Sequence, residues 1–110
     1  HIHRIVTNLV RNAARAIKEQ PGRTTPGMIT ARVSREGGNA VIEIVDNGPG
    51  VPAMIVGQLF QPFSGSASRG GAGLGLAIAR ELARGMKGDV ELSSNGAAGA
   101  AFKLRVPAPA

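Results

Sequence analysis

The chain has no cysteine, which removes disulfides, thiolate zinc centres and cysteine nucleophiles from consideration and fits a reducing compartment. Aromatic residues are nearly as scarce. Three Phe, no Tyr and no Trp give little material for a platform on which nucleic-acid bases could stack. No apolar run approaches the roughly 18 residues of a membrane-spanning helix, and no secretory leader is expected. Paired carboxylates at catalytic spacing, a serine triad and a P-loop signature are also missing. What remains is a basic chain of 110 residues with formal net charge +6 and 43% hydrophobic content, enough for one folded domain with one core. A basic balance suits a nucleotide, an acidic partner or nucleic acid, and the few aromatics argue against the last. His1 and His3 have no partner that would suggest a metal centre or a catalytic dyad.

Ile2, Ile5, Val6, Leu9, Ala13, Ala16 and Ile17 recur at three- and four-residue spacing, which predicts an amphipathic helix ending before Gln20-Pro21-Gly22. The chain opens as if already inside that helix. It therefore reads as a piece cut from a longer protein, whose other parts could carry membrane spans. Ile29, Ala31 and Val33 alternate with Thr30, Arg32 and Ser34, predicting a half-buried strand. Glu36-Gly37-Gly38-Asn39 turns it into a second, where Ala40, Ile42 and Ile44 alternate with Val41, Glu43 and Val45. Asp46-Asn47-Gly48-Pro49-Gly50 ends that strand. A short helical piece over 53–59 precedes a small, polar, glycine-rich stretch at 61–70 that reads as a mobile loop. A second helix follows, with Leu74, Ile78 and Leu82 as its buried stripe and Gly85 or Gly88 as its end. Two last strands, 89–93 and 101–106, are joined by a turn through Asn95-Gly96, and the chain from Pro107 on reads as tail or linker. The order helix, hairpin, loop, helix, hairpin predicts an α+β fold with helices on one face of a mainly antiparallel sheet. One domain is expected over residues 1–107, with 108–110 as tail.

Gly71-Ala72-Gly73-Leu74-Gly75-Leu76 opens the second helix with glycines at alternate positions. First-turn N–H groups lack intrahelical partners and lie at the positive end of the helix dipole, so this segment could close around a phosphate; ordinary loop chemistry is the other reading. Asn8, Asn12 and Arg15 share one stripe of the first helix. Amide oxygens stacked one turn apart suit a hard cation such as Mg²⁺, and a solvated polar flank is the alternative. Asp46 lies two residues beyond Ile44, so strand alternation turns it toward the core. A carboxylate there needs donors: the exocyclic amine of a purine, backbone N–H groups, or its own Asx-turn. Phe60 and Phe63 flank Gln61-Pro62 and read as a packing anchor or as the hinge of a lid.

In this order the segments resemble the ATP-binding catalytic domain of sensor histidine kinases, within the wider group that includes gyrase, the Hsp90 chaperones and MutL. Ile5-Val6-Thr7-Asn8-Leu9-Val10-Arg11-Asn12-Ala13-Ala14-Arg15-Ala16-Ile17 resembles the N box of that family, and Asp46-Asn47-Gly48-Pro49-Gly50-Val51 its G1 box. Leu59-Phe60-Gln61-Pro62-Phe63 is similar to the F box, and Gly71-Ala72-Gly73-Leu74-Gly75-Leu76-Ala77-Ile78-Ala79-Arg80 to the G2 box. The similarity covers essentially the whole chain. It implies a Bergerat-type two-layer α/β sandwich, a mainly antiparallel mixed sheet covered on one face by helices, that binds ATP with Mg²⁺ under a lid over about residues 51–70.

The resemblance implies roles residue by residue. Asn8 and Asn12 would be the catalytic pair holding Mg²⁺ and the phosphates, with Arg15 nearby. Asp46 would receive the adenine amino group, and Gly48, Gly50 and Val51 would shape the base pocket. Gly71, Gly73, Leu74, Gly75 and Leu76 would give main-chain phosphate contacts, with Arg69 as a further partner, and Phe60 and Phe63 would serve the lid. In the related hydrolases a glutamate at the position of Asn8 activates water. An amide cannot accept that proton, so phosphoryl transfer is implied over hydrolysis. Two departures stand out. Gly99-Ala100-Ala101-Phe102 lacks the Thr hydroxyl usual near the last strand, and neither His1 nor His3 sits in the pattern of a phospho-accepting histidine. The implied acceptor is therefore a histidine on a dimerisation domain outside this sequence, in a homodimeric parent serving a response regulator. The chain would be its cytoplasmic portion, the parent could sit in the inner membrane, and nucleic acid is not an expected partner. A nucleotide-binding pseudokinase module and a serine kinase of the anti-sigma-factor type are the alternative readings.

Overall fold

The computed structural model describes residues 2–22, 24–61 and 75–108, with the side chain of Ile55 excepted. The first helix, α1 (Ile2–Lys18), forms as the periodicity predicts. Ile5, Leu9 and Ala13 make its fully buried line, while Arg15 and Lys18 in the last turn complement the negative end of the helix dipole. The Gln20 N–H tightens the end by donating to the Ile17 carbonyl at 3.2 Å, and Pro21 stops propagation. Strands β1 (Ile29–Glu36) and β2 (Asn39–Asp46) follow as a hairpin, turning through Gly37 and Gly38 in register from Glu36↔Asn39 to Ile29↔Asp46. A single turn, α2 (Ala53–Val56), is shorter than the sequence suggests. Then come α3 (Gly75–Gly85), β3 (Asp89–Gly96) and β4 (Gly99–Pro107).

Among the described residues the sheet is antiparallel throughout, in the order β1-β2-β4-β3. Both long helices lie on the same face of it. Ile44 of β2, Phe102, Leu104 and Val106 of β4 and Val90 of β3 point into that interface against Ile5 and Leu9 of α1. Each such side chain contributes about 1.5–3 kcal/mol on leaving water, so this layer dominates the stability of the domain. The opposite face carries charge. Arg32 pairs with Glu43, and Arg105 pairs with both Glu36 and Glu91.

Four expectations are corrected. Ala31 and Val33 are exposed, Val33 at 76%, because β1 is an edge strand that packs against the core only at Ile29. The buried stripe of α3 is Leu76, Ala79 and Ala83, with Leu82 only partly buried and Ile78 outside the core cluster. Small side chains let α3 approach α1 closely, and a stripe of large ones would hold them apart. Leu74 lies outside the described residues. Asn95 and Gly96 are not the turn: they pair with Ala100 and Gly99, so the chain reverses through Ala97 and Ala98. Finally, Pro107 ends β4 rather than starting a tail, and the Ala108 N–H donates to the Gly38 carbonyl at 2.8 Å.

Candidate functional site

Asp46 is the last residue of β2, and alternation turns it inward as expected. It is only 7% exposed, the one buried charged residue among those described. A buried carboxylate costs several kcal/mol unless donors satisfy it. Its Oδ1 accepts the Gly48 N–H at 2.9 Å and the Ala100 N–H at 3.3 Å. The first bond is the Asx-turn; the second ties β2 to β4. No donor among the described residues reaches Oδ2. Oδ1 thus makes the Asx-turn, while Oδ2 is left without a donor among the described residues. At residue 100, where the missing Thr hydroxyl would be, the backbone N–H makes the contact to Asp46.

The loop after Asp46 is fastened on both sides. The Asn47 N–H donates to the Met28 carbonyl at 3.2 Å, its Oδ1 accepts the Met28 N–H at 2.7 Å, and its Nδ2 donates to the Pro26 carbonyl at 3.1 Å. Gly48 is buried beside Ile17, where an added Cβ would stand 3.4 Å from Ile17 Cγ1. Gly50, with φ +78°, lies so close to the Gly96 carbonyl that any side chain would collide with it. Val51 is gripped by Asn95 of β3. Its N–H donates to Asn95 Oδ1 at 2.7 Å and its carbonyl accepts from Asn95 Nδ2 at 2.9 Å.

A cleft of about 260 Å³ opens between the end of α1 and this loop, lined by Ala16, Glu19, Gln20 and Pro21 on one side and by Pro49, Gly50, Val51 and Pro52 on the other. Asn12 and Asn8 precede Ala16 by one and two helical turns, so they continue the same stripe of α1. Both are half-buried, and among the described residues nothing hydrogen-bonds their side-chain amides. Arg15 is half-buried too and has no carboxylate within ion-pair distance among those residues. Gly75 starts α3, and Leu76 packs into the core at 7% exposure, leaving its main chain as the part able to meet a ligand. Arg69, Gly71, Gly73, Leu74 and Phe63 lie outside the described residues.

Phe60 is held from two sides. Its ring meets that of Phe102 edge-on, with centroids 6.2 Å apart, and the Arg80 guanidinium lies 4.4 Å from its own centroid. Arg80 in turn donates to both oxygens of Asp89, at 2.9 and 3.3 Å. Burial pushes the Asp89 carboxyl up, but the hydrogen bonds from Arg80 and the Val90 N–H, with the charges of Arg80 and Arg84, outweigh it. Asp89 therefore titrates below the usual carboxylate range. Phe60 is an anchor, fixing the segment after α2 to the sheet. No cluster of metal-binding His, Cys, Asp or Glu occurs among the described residues, and none of their helices is long and apolar enough to cross a membrane.

Comparison with known proteins identifies the family and the fold. Residues 1–110 match the family described as histidine kinase-, DNA gyrase B-, and HSP90-like ATPase. The Escherichia coli (strain K12) sensor protein TorS is 36% identical over 107 residues, 96% of this chain and 11% of that protein. The C4-dicarboxylate transport sensor protein DctS of Rhodobacter capsulatus is 32% identical over 108 residues, covering 98% of this chain and 16% of the relative. The chain thus spans under a fifth of the length of these relatives. Among solved structures, the mycobacterial sensor histidine kinase MprB superposes with a TM-score of 0.73 at 30% identity, over 94% of this chain and 70% of that one. The catalytic domain of the histidine kinase ThkA shares the fold, with a TM-score of 0.75 at 23% identity over 96% of this chain and 64% of that one. The chain belongs to the histidine kinase-, DNA gyrase B- and HSP90-like ATPase family, as an ATP-binding catalytic domain of the histidine-kinase type.

Proposed function

We propose that ATP binds around the 46–51 loop, with its base at Asp46, which lines a hollow of about 220 Å³ against the β3–β4 hairpin rather than the cleft beside Ala16, and that this domain presents the γ-phosphoryl group to a histidine on a dimerisation domain of the same parent protein. The observation that carries the reading is Asp46 Oδ2, a buried carboxylate oxygen with no donor among the described residues, beside backbone left bare by Gly48 and Gly50. An adenine amino group is a donor of the right kind, and a flat ring can approach glycine main chain where a Cβ would stand in the way. Val51 forms the rim on the same side.

The donor set farther along α1 suits the phosphate end. Asn8 and Asn12 offer hard amide oxygens one turn apart with no hydrogen-bond partner among the described residues, which fits Mg²⁺; when bound, Mg²⁺ would neutralise charge on the phosphates. The guanidinium of Arg15, also without a carboxylate partner among the described residues, is a phosphate ligand of the same face. Main-chain groups of Gly75 and Leu76 at the opening of α3, with Gly71, Gly73, Leu74 and Arg69 before them, complete the proposed phosphate contacts.

Transfer breaks the bond between the γ-phosphorus and the β,γ-bridging oxygen, so ADP leaves. A phosphorus–nitrogen bond forms to the imidazole, whose N–H proton passes to solvent. This reaction needs positioning and charge stabilisation more than proton abstraction. Asn8 accords with that, because an amide cannot take a proton from attacking water. The sensor proteins related to this chain suggest that the phosphoryl group then passes to a response regulator. Two measurements test the reading. A calorimetric titration should show a Mg²⁺-dependent ATP analogue binding to wild type and not to Asp46→Ala. A separately supplied histidine-bearing helical domain should acquire acid-labile phosphate from Mg-ATP in the presence of this chain. A folded chain that binds no adenine nucleotide would overturn the proposal.

A further inference from the structure

We propose that Asn95 is a positioning residue for the nucleotide pocket: its side-chain amide stands in for a missing strand and holds the Gly50 and Val51 rim against the β3–β4 hairpin. The inference rests on the ATP-binding reading above and adds a residue that the four sequence motifs do not contain. Asn95 belongs to β3, the edge strand of the sheet, and pairs there with Ala100 of β4. Its side chain reaches the backbone of a residue 44 positions earlier, where Oδ1 accepts from the Val51 N–H at 2.7 Å and Nδ2 donates to the Val51 carbonyl at 2.9 Å. A primary amide presents one acceptor and one donor in a plane, as a neighbouring strand would. Aspartate lacks the donor.

The local sequence makes this clamp decisive. Pro49 and Pro52 have no N–H, so the rim 49–52 has only the donors of Gly50 and Val51 with which to attach itself. Among the described residues no other group bonds the Val51 N–H or carbonyl, and Gly50 adds only its close approach to the Gly96 carbonyl. Asn95 is therefore the hydrogen-bonded tether of that rim. It also acts at both ends of the base pocket. Ala100, its partner across the ladder, donates to Asp46 Oδ1, so one pair of residues in the hairpin holds the carboxylate on one side and the rim on the other.

Amide hydrogen exchange by NMR, combined with titration of an ATP analogue, tests this on Asn95→Ala and Asn95→Asp. In the nucleotide-free chain, Asn95→Ala should speed exchange at Val51 about tenfold or more, leaving the β2–β4 ladder protected. Asn95→Asp, whose carboxylate still accepts, should keep Val51 protected. Affinity for the analogue should fall about three- to tenfold in Asn95→Ala, with Asn95→Asp between it and wild type. Unchanged Val51 exchange in Asn95→Ala would overturn the clamp. Faster exchange with unchanged affinity would overturn the positioning role. Uniform loosening of the hairpin, equal in both variants, would also overturn it, because the residue would then only stabilise the turn. If wild type bound no adenine nucleotide while Val51 exchange behaved as described, the functional reading would fall with the positioning role, and the clamp itself would stand.

Discussion

Asparagine at position 46 should separate ligand binding from folding in a way that alanine cannot. Oδ1 of Asp46 accepts two backbone N–H bonds, from Gly48 and Ala100, inside a site only 7% exposed. Alanine strands both donors, at about 1–3 kcal/mol each, so Asp46→Ala should weaken the fold as well as the pocket. Asparagine can keep its oxygen on those two N–H groups and place its NH₂ where Oδ2 was. Facing an adenine amino group, that NH₂ sets donor against donor. The charged hydrogen bond is lost, about 1.5–3 kcal/mol, and a buried donor goes unpaired for about 1–3 kcal/mol more. At about 1.4 kcal/mol per decade, ATP affinity should fall by roughly 10²-fold or more. A base with a carbonyl at the same position reverses the match. Inosine triphosphate should therefore bind Asp46→Asn better than ATP does, whereas wild type prefers ATP. Parallel calorimetric titrations with both nucleotides, with thermal melts of each protein, would show it. If Asp46→Asn binds ATP within threefold of wild type, the base is not on Oδ2 and the pocket assignment fails.

The remaining expectations concern the scaffold around that site. Leu9 is fully buried beneath the sheet, so Leu9→Ala should cost about 2–5 kcal/mol and lower the melting temperature by roughly 10 °C or more; a shift under 3 °C would mean the core lies elsewhere. Phe60→Leu and Arg80→Met should be coupled, by about 0.5–1 kcal/mol in a double-mutant cycle read by denaturant titration, and additive effects would refute the stack. The folded pKa of Asp89 lies below its unfolded value, so its contribution is present above the ordinary carboxylate range and is lost as pH falls through the folded value. Asp89→Asn should therefore flatten the acid limb of melting temperature against pH, and an unaltered acid slope would remove Asp89 as its source.

Where sequence and structure agree, the signal was local. Ile5, Leu9 and Ala13 recur with the helical period, and Ala40, Ile42, Ile44 and Asp46 keep strand parity, so both the core side of β2 and the burial of Asp46 could be read from spacing alone. Where they differ, a neighbour distant in sequence decides. Val33 has the alternation of a half-buried strand, yet it sits on the edge strand, which packs against the core only at Ile29. Ile78 looked the better core residue than Ala79, but the closeness of α3 to α1 favours the small side chain. Asn95-Gly96 has the composition of a hairpin turn. Only its partner 44 residues away shows that the amide is a clamp, and no periodicity carries that information.

The charge of the chain gains meaning once its pairing is known. The open face of the sheet is balanced, with Arg32 on Glu43, Lys103 and Arg105 on Glu36, and Arg105 on Glu91. Arg80 and Arg84 share Asp89 at the edge of α3. Helix α1 differs: it contains Arg4, Arg11, Arg15 and Lys18 and no acidic residue, and none of these cations pairs with a carboxylate among the described residues. The excess of +6 is thus not spread evenly, and much of it lies along the helix that also carries Asn8 and Asn12. A basic surface for nucleic acid would call for a broad cationic face interleaved with aromatics, and the balanced sheet face is neither. Cations without a carboxylate partner among the described residues, on the helix that carries Asn8 and Asn12, favour a small, highly charged anion along that helix instead. The distribution of charge and the Asp46 oxygen left without a donor among the described residues, drawn from separate parts of the chain, support the same proposed ligand: one end a base with an amino group, the other a chain of phosphates.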